Sequence, residues 1–233
     1  AWWEIAEREL DVRMFGAKGD GVTDDTTAIQ GAVDALPPLG GIVRLPGGLY
    51  RVTSTINIGT GAAGGGGRTT KNGIKFLGNG AGFALYGAMV PTVLTYDGPA
   101  ISGPMINVNG QISDTRIEGM YLLPNSKAGG IGATSFTGCD FKNIKIVGMA
   151  VNGIGLALLG GPPPPGNYNT FNTFEGVNIT CTNPDSIGLY VDTMSPGVVG
   201  TNDTWISQFR NCRFDVIGGA TNATCAWLKF VDS

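Results

Sequence analysis

TRIEGMYL (Thr115–Leu122) returns three times in altered spelling: CDFKNIKI (Cys139–Ile146), NTFEGVNI (Asn172–Ile179) and SQFRNCRF (Ser207–Phe214). The third position is Ile117, Phe141, Phe174 and Phe209. The sixth is Met120, Ile144, Val177 and Cys212, and the eighth is Leu122, Ile146, Ile179 and Phe214. The fifth is always Gly or Asn (Gly119, Asn143, Gly176, Asn211), the residues that enter the left-handed backbone region most readily. Each unit therefore reads as a strand end, one bend residue, and a second strand with alternating inward apolar side chains. A further strand recurs downstream: IGLALLG, IGLYVDT and WLKFVDS. Units of this kind, each stacking on the last, describe a β-solenoid. A β-sandwich would not hold a bend residue in fixed register, and βαβ units would need helices that these segments lack.

Upstream, Phe15–Gln30 reads FGAKGDGVTDDTTAIQ. Gly16, Gly19 and Gly21 supply backbone freedom just before a helix. Thr23, Asp24 and Asp25 offer oxygens to the unpaired N–H groups of its first turn, and the acidic pair suits the helix dipole. Ala28, Ile29, Ala32, Val33 and Leu36 make one narrow apolar face, and Pro37–Pro38 end the helix. IVRLP and LYRVTSTINI then read as strands.

From Asp11 to Ile58 the string closely resembles the opening of right-handed parallel β-helix proteins of the pectate-lyase superfamily, which includes phage tailspikes and secreted glucanase- and pectinase-like enzymes. The resemblance implies an all-β, right-handed parallel β-helix whose N-terminal end is capped by this α-helix. Gly16, Gly19, Asp20, Gly21, Thr23, Asp24 and Asp25 then form a structural cap motif, and the resemblance names no catalytic site. Residues 1–14 read as an N-terminal connector, 15–58 as capping helix and first strands, 59–73 as a glycine-rich loop, and 74–233 as β-helix coils that continue beyond the given chain. Trp2 and Trp3 read as packing against the cap or an upstream module, and the absence of an initial Met marks the chain as a piece of a longer polypeptide.

Only 14% of the 233 residues are charged, while Gly numbers 39, which suits short strands and tight turns. A net charge of −3 gives no basic footprint for nucleic acid, and no apolar stretch is long enough to span a membrane. Without His, neither a Ser-His-Asp nor a Cys-His nucleophile can form, and no zinc site is expected from Cys139, Cys181, Cys212 and Cys225. These cysteines read as free core thiols, Cys212 sitting at an apolar repeat position. The Gly59, Gly61, Gly64 string runs into more glycine instead of a helix, so no dinucleotide cofactor is implied. Calcium at Asp20, Asp24 and Asp25 is a weaker reading than capping. GPPPPG (161–166) reads as a projecting loop. Asn178, Asn202 and Asn222 begin Asn-x-Ser/Thr triplets of the kind that arise often by chance.

Candidate carboxylates are Asp97, Asp114, Glu118, Asp140, Glu175, Asp185, Asp192, Asp203 and Asp215, and candidate stacking aromatics are Tyr121, Tyr168, Tyr190 and Trp205. Glycoside hydrolysis needs two carboxyl groups at set separations, and sequence does not reveal which pair has them, so the catalytic residues stay unassigned. Glu118, Lys142, Glu175 and Arg210 precede the four bends and would stack as a column of alternating sign, a register-setting charge ladder. The resemblance implies a virion protein: a homotrimeric tailspike or tail-fibre segment that recognises, and in its enzymatic form depolymerises, host surface polysaccharide alongside other tail proteins. A secreted hydrolase or lyase and a non-catalytic structural virion protein are the alternatives. If the four bends are left-handed, Gly176→Val should cost about 1–3 kcal/mol in an unfolding titration, and a β-branched residue at Asn178 close to nothing.

Overall fold

The computed structural model describes residues 9–59, 71–82, 90–159, 171–192, 207–217 and 220–229. Trp2, Trp3, Gly61, Gly64, the GPPPPG segment, Tyr168, Asn202, Asp203 and Trp205 lie outside the described residues.

The described residues wind through seven successive coils. The first holds β1 (Glu9–Asp11), β2 (Asp20–Asp24) and α1 (Thr26–Ala35), and the second β3 (Gly41–Arg44), β4 (Gly48–Val52) and β5 (Ile56–Ile58). The third holds β6 (Ile74–Leu77), β7 (Thr92–Tyr96) and β8 (Pro104–Ser113). The fourth is β9 (Arg116–Leu123) with β10 (Gly129–Thr137), and the fifth β11 (Asp140–Val147) with β12 (Ile154–Leu159). The sixth is β13 (Thr173–Glu175), β14 (Asn178–Cys181) and β15 (Ile187–Asp192). The seventh is β16 (Gln208–Arg210), β17 (Arg213–Val216) and β18 (Thr224–Lys229).

All these strands pair in parallel with their counterparts one coil away, building three faces. The first runs β1-β3-β6-β9-β11-β13-β16, and the second β2-β4-β7-β9-β11-β14-β17. The third runs β5-β8-β10-β12-β15-β18. Strands β9 and β11 pass unbroken around the corner and serve both of the first two faces. The molecule is a parallel β-helix. Residues 9–11, read above as connector, already pair with β3 and so belong to the first coil.

The repeat alignment is the hydrogen-bonded register. Ile117 stands against Phe141, Phe141 against Phe174 and Phe174 against Phe209, while Leu122, Ile146, Ile179 and Phe214 follow one another in the next column. Gly119, Asn143, Gly176 and Asn211 have φ of 73°, 50°, 64° and 52°, turning the chain by one residue between the first and second faces. Inside, the rings of Phe141 and Phe174 stack at 4.9 Å and 11°, and those of Phe174 and Phe209 at 4.6 Å and 10°. Such offset pairs add about 0.5–1.5 kcal/mol each beyond their burial.

On the third face Ile131, Leu156, Leu189 and Ala226 are in register, so Gly130, Gly155, Gly188 and Cys225 just before them form a column. This is the corner where the backbone meets the inward side chains of the second face. A Cβ on Gly155 would lie 2.4 Å from Ile179 Cγ2 and 2.8 Å from the Gly188 carbonyl oxygen. A Cβ on Gly130 would lie 2.9 Å from Ile146 Cδ1. Strand β18 starts at Thr224, three residues before the WLKFVDS segment, because this column and not the apolar run sets its phase.

Helix α1 covers the open end. It packs its buried Ile29, Ala32 and Val33 inward and rests on β5 and on the 3-10 turn Val12–Phe15. At that edge the Gln30 side-chain amide donates to the Asn57 carbonyl at 3.0 Å and accepts the Asn57 N–H at 2.8 Å. One glutamine thus bonds an edge peptide as a neighbouring strand would. Lys71, within the segment read as loop, donates to the terminal helix carbonyls of Val33 and Asp34.

The cap motif acts differently from its sequence reading. The helix begins at Thr26, and only Asp24 reaches a first-turn N–H, that of Thr26 at 3.1 Å, together with the Thr26 and Thr53 hydroxyls. Asp25, buried at the N-cap with φ −91° and ψ 1°, turns away from the helix and accepts the N–H groups of Lys18 and Gly19 at 2.7 and 3.0 Å. Asp20 closes its own turn on the N–H groups of Val22 and Thr23 and on the Thr23 hydroxyl. The motif staples the glycine loop more than it caps the helix. Cys139 and Cys181 are buried free thiols, but Cys212 is half-buried and Cys225 exposed, because among the described residues no coil stacks on the seventh. The Gly155 contact predicts that Gly155→Ala lowers stability by about 1–3 kcal/mol through overpacking. Gly103→Ala, which meets nothing within 4 Å, should stay within about 0.5 kcal/mol in the same urea titration.

Candidate functional site

The bends between the first two faces lie along the floor of a lateral groove of about 610 Å³. Gly78, Gly119, Asn143 and Gly176 form its floor, one residue from each of the third to sixth coils. Arg44, Leu77 and Glu118 line it from the first face, and Lys145 and Asn178 from the second. Gly80, Ala81 and Gly82 line it beyond β6. The floor is shallow in side chains because a left-handed corner selects Gly or Asn. From Arg44 in the second coil to Asn178 in the sixth is four strand spacings, about 19 Å. The groove therefore presents a similar corner repeatedly along one direction.

Repeat position seven, where Tyr121, Lys145, Asn178 and Arg213 stand in register, supplies the second wall through Lys145 and Asn178. Lys145 Nζ lies 5.0 Å from the centre of the Tyr121 ring, a cation–π contact. Tyr121 is only 6% exposed and its phenol is pushed up by burial, so its face is not available to stack on a ligand. Asn178 lines the groove and donates from its side chain to the Gly176 carbonyl at 3.2 Å. Arg44 is paired with Glu9 at 2.5 Å.

The other candidates disperse. Asp114 and Asp185 hold left-handed turns at φ 55° each, Asp215 pairs with Arg213 at 2.7 Å, and Asp192 accepts the Tyr190 hydroxyl at 2.9 Å. Asp97 bridges Lys127 at 2.7 Å and Arg51 at 2.9 Å, and these cations, Lys127 first, hold its carboxyl below the usual range. Glu118 is the one candidate carboxylate lining the groove among the described residues. Sequence reasoning missed Arg44, Leu77 and Lys145; the polar residues at repeat position seven were the available signal.

The charge column keeps its register, Glu118 to Lys142 to Glu175 to Arg210, but not its pairing. Arg116 and Asp140, two residues earlier on the same outward faces, meet at 2.9 Å. Lys142 then turns to Asp140 at 3.3 Å and Glu118 to Arg116 at 3.5 Å, while Arg210 bonds Gln208. Among the described residues Glu175 makes no ion pair. A neighbour on its own strand competes well with one a coil away, so the ladder is a local cluster around Asp140.

A capped parallel β-helix with a lateral groove is a widely used scaffold. Residues 10–208 match the model of the family described as rhamnogalacturonase A/epimerase, pectate lyase-like, and the chain belongs to that family. Alginate lyase 7 of Azotobacter vinelandii is 61% identical over 46 residues, which cover 19% of this chain and 5% of that protein. The A. vinelandii mannuronan C5-epimerase AlgE4 is 43% identical over 75 residues, 32% of this chain and 13% of that one. Among solved structures, ORF18 of Geobacillus virus E2 superposes with a TM-score of 0.58 at 21% identity, over 89% of this chain and 42% of the other. The tailspike gp49 of Acinetobacter baumannii bacteriophage Fri1, a capsular polysaccharide depolymerase, gives 0.54 at 15% identity, over 94% and 42%. The chain thus spans a small part of its curated relatives and under half of these two structures, and the likeness to the latter is one of fold.

Among the described residues Asp97, Asp20 and Asp24 ionise more readily than a free aspartate, whose value is 3.8. Asp97 does so through Lys127 and Arg51, and Asp20 through the N–H groups of Thr23 and Val22. In Asp24 partial burial opposes the effect, but the Thr26 and Thr53 hydroxyls prevail. Depressed folded-state values contribute stability that is present above about pH 4 and lost as pH falls through them. The thermal midpoint should hold from pH 7 to about 5 and decline below about 4, and Asp97→Asn should flatten that decline.

Proposed function

We propose that this chain is the N-terminal part of a phage tailspike or tail-fibre β-helix and that its lateral groove binds host surface polysaccharide. The groove carries the reading: its floor of Gly and Asn corners repeats at strand spacing and so suits a ligand that itself repeats. Asn143, Asn178, Lys145, Arg44 and Glu118 offer the mixed donors and acceptors that sugar hydroxyls need. The tailspike and viral neighbours, and the polysaccharide-acting names among the relatives, support the same class. Among the described residues the groove offers one carboxylate, Glu118, where hydrolysis requires two, so the reading made here is one of binding. In this reading the full protein is a homotrimer on the virion, seated among other tail proteins.

The test uses the full-length protein and purified capsular polysaccharide and lipopolysaccharide from its host. Lys145→Ala combined with Asn178→Trp should weaken glycan binding by at least about tenfold, close to 1.4 kcal/mol, while the unfolding midpoint stays within error. Glu175→Gln, outside the groove, should leave both binding and any depolymerisation intact. Unchanged affinity in the groove variant would overturn the site. A monomer in light scattering would overturn the tailspike assignment.

A further inference from the structure

The corner between the third and first faces is left-handed as well. Gly40, Gly73, Asp114, Gly138 and Phe171 follow one another there in register, with φ of 79°, 68°, 55°, 63° and 58°. Glycine enters this region freely and aspartate readily, whereas a phenylalanine is strained in it. Phe171 also leaves 62% of its surface in solvent. The residue is thus unfavourable twice over, and the fold has no need of its ring, since Phe174 supplies the inward ring of this coil. The strained turn is held from inside by Asn172, which is buried, accepts the Cys139 N–H at 2.9 Å and donates to the Phe136 carbonyl at 3.4 Å.

Gly138, one coil back, is exposed and has no side chain to cover the ring. One coil further back Asp114 is exposed too, and its Oδ1 lies 3.4 Å from where a Cβ on Gly138 would stand. Among the described residues no group pairs with that carboxylate. An aromatic residue and a free carboxylate therefore flank a bare glycine, about 10 Å apart across two strand spacings. We propose that this notch is a second glycan subsite, in which Phe171 stacks on the apolar face of a pyranose ring and Asp114 accepts hydrogen bonds from its hydroxyls. The inference rests on the polysaccharide reading above and adds a contact remote from the groove. Thr173 and Asp140, in register beside Phe171 and Gly138, keep the surroundings polar, whereas the centre of a protein–protein contact is depleted of charge. Phe171 precedes the groove-floor residue Gly176 by a path of about 16 Å along the sixth coil, a span that a chain of linked sugar rings can bridge.

The experiment uses the full-length protein with purified capsular polysaccharide and lipopolysaccharide from its host, reading affinity by calorimetry and the unfolding midpoint in urea. Phe171→Asn and Asp114→Asn both place a residue that suits a left-handed corner. Each should weaken glycan binding by about fivefold or more, while the midpoint holds for Asp114→Asn and holds or rises for Phe171→Asn. Phe171→Trp should keep the affinity within about twofold, and its added indole emission should shift as glycan is titrated in. A lower midpoint for Phe171→Asn would overturn the proposal, since the ring would then be packing the fold. Unchanged affinity in that variant, with binding weakened by Lys145→Ala and Asn178→Trp together, would remove the notch and leave the groove standing. The reverse pattern would support the notch and overturn the groove. A wild-type protein that binds neither glycan would overturn both.

Discussion

Parallel pairing on three faces is the constraint from which the rest follows. Every coil must return one strand spacing further along the axis with its residues in step, since a slip by one would send the inward side chains out to solvent on each face it touched. Like is therefore stacked on like. Phe141, Phe174 and Phe209 become a column of rings, the four bend residues become a corner, and Gly130, Gly155 and Gly188 become a seam. The groove is a product of the same rule, since a corner that excludes large side chains in one coil excludes them in all.

A structure built from repeated edges has to end somewhere, and the N-terminal end is resolved chemically. The side-chain amide of Gln30 offers both a donor and an acceptor to Asn57, and Asp24 joins α1 to Thr53 after β4. Asp25 is buried with both oxygens committed to backbone N–H groups, which makes the glycine loop a fixed part of the cap. Helix and loop are thus held to the coil by polar groups aimed at backbone, with the apolar face of α1 supplying the burial.

The architecture was largely legible in the sequence. The third, sixth and eighth repeat positions are apolar because they face inward in every coil, and a one-residue corner leaves a Gly or Asn in its wake. The partners of charged side chains were not legible. Lys142 lies across from Glu118 by register yet bonds Asp140, because a flexible side chain chooses among neighbours that a one-dimensional alignment ranks equally. The glycines of IGLALL and IGLYVD were visible, but their reason is the Ile179 side chain from a different face at Gly155 and the Cys225 carbonyl of the next coil at Gly188. The groove was hidden for a related cause, since its floor is made by absent side chains while the search was for carboxylates and aromatics. Among the described residues only Glu118 of that set lines it.

The glycine seam also bears on how such a molecule changes length over evolution. A solenoid grows by acquiring whole coils, and a new coil can arise by copying an old one. Copies taken from the fourth, fifth or sixth coil carry a glycine in phase and can be inserted between their neighbours without wedging them apart. The seam thus works as a filter on duplications, passing those whose phase is right.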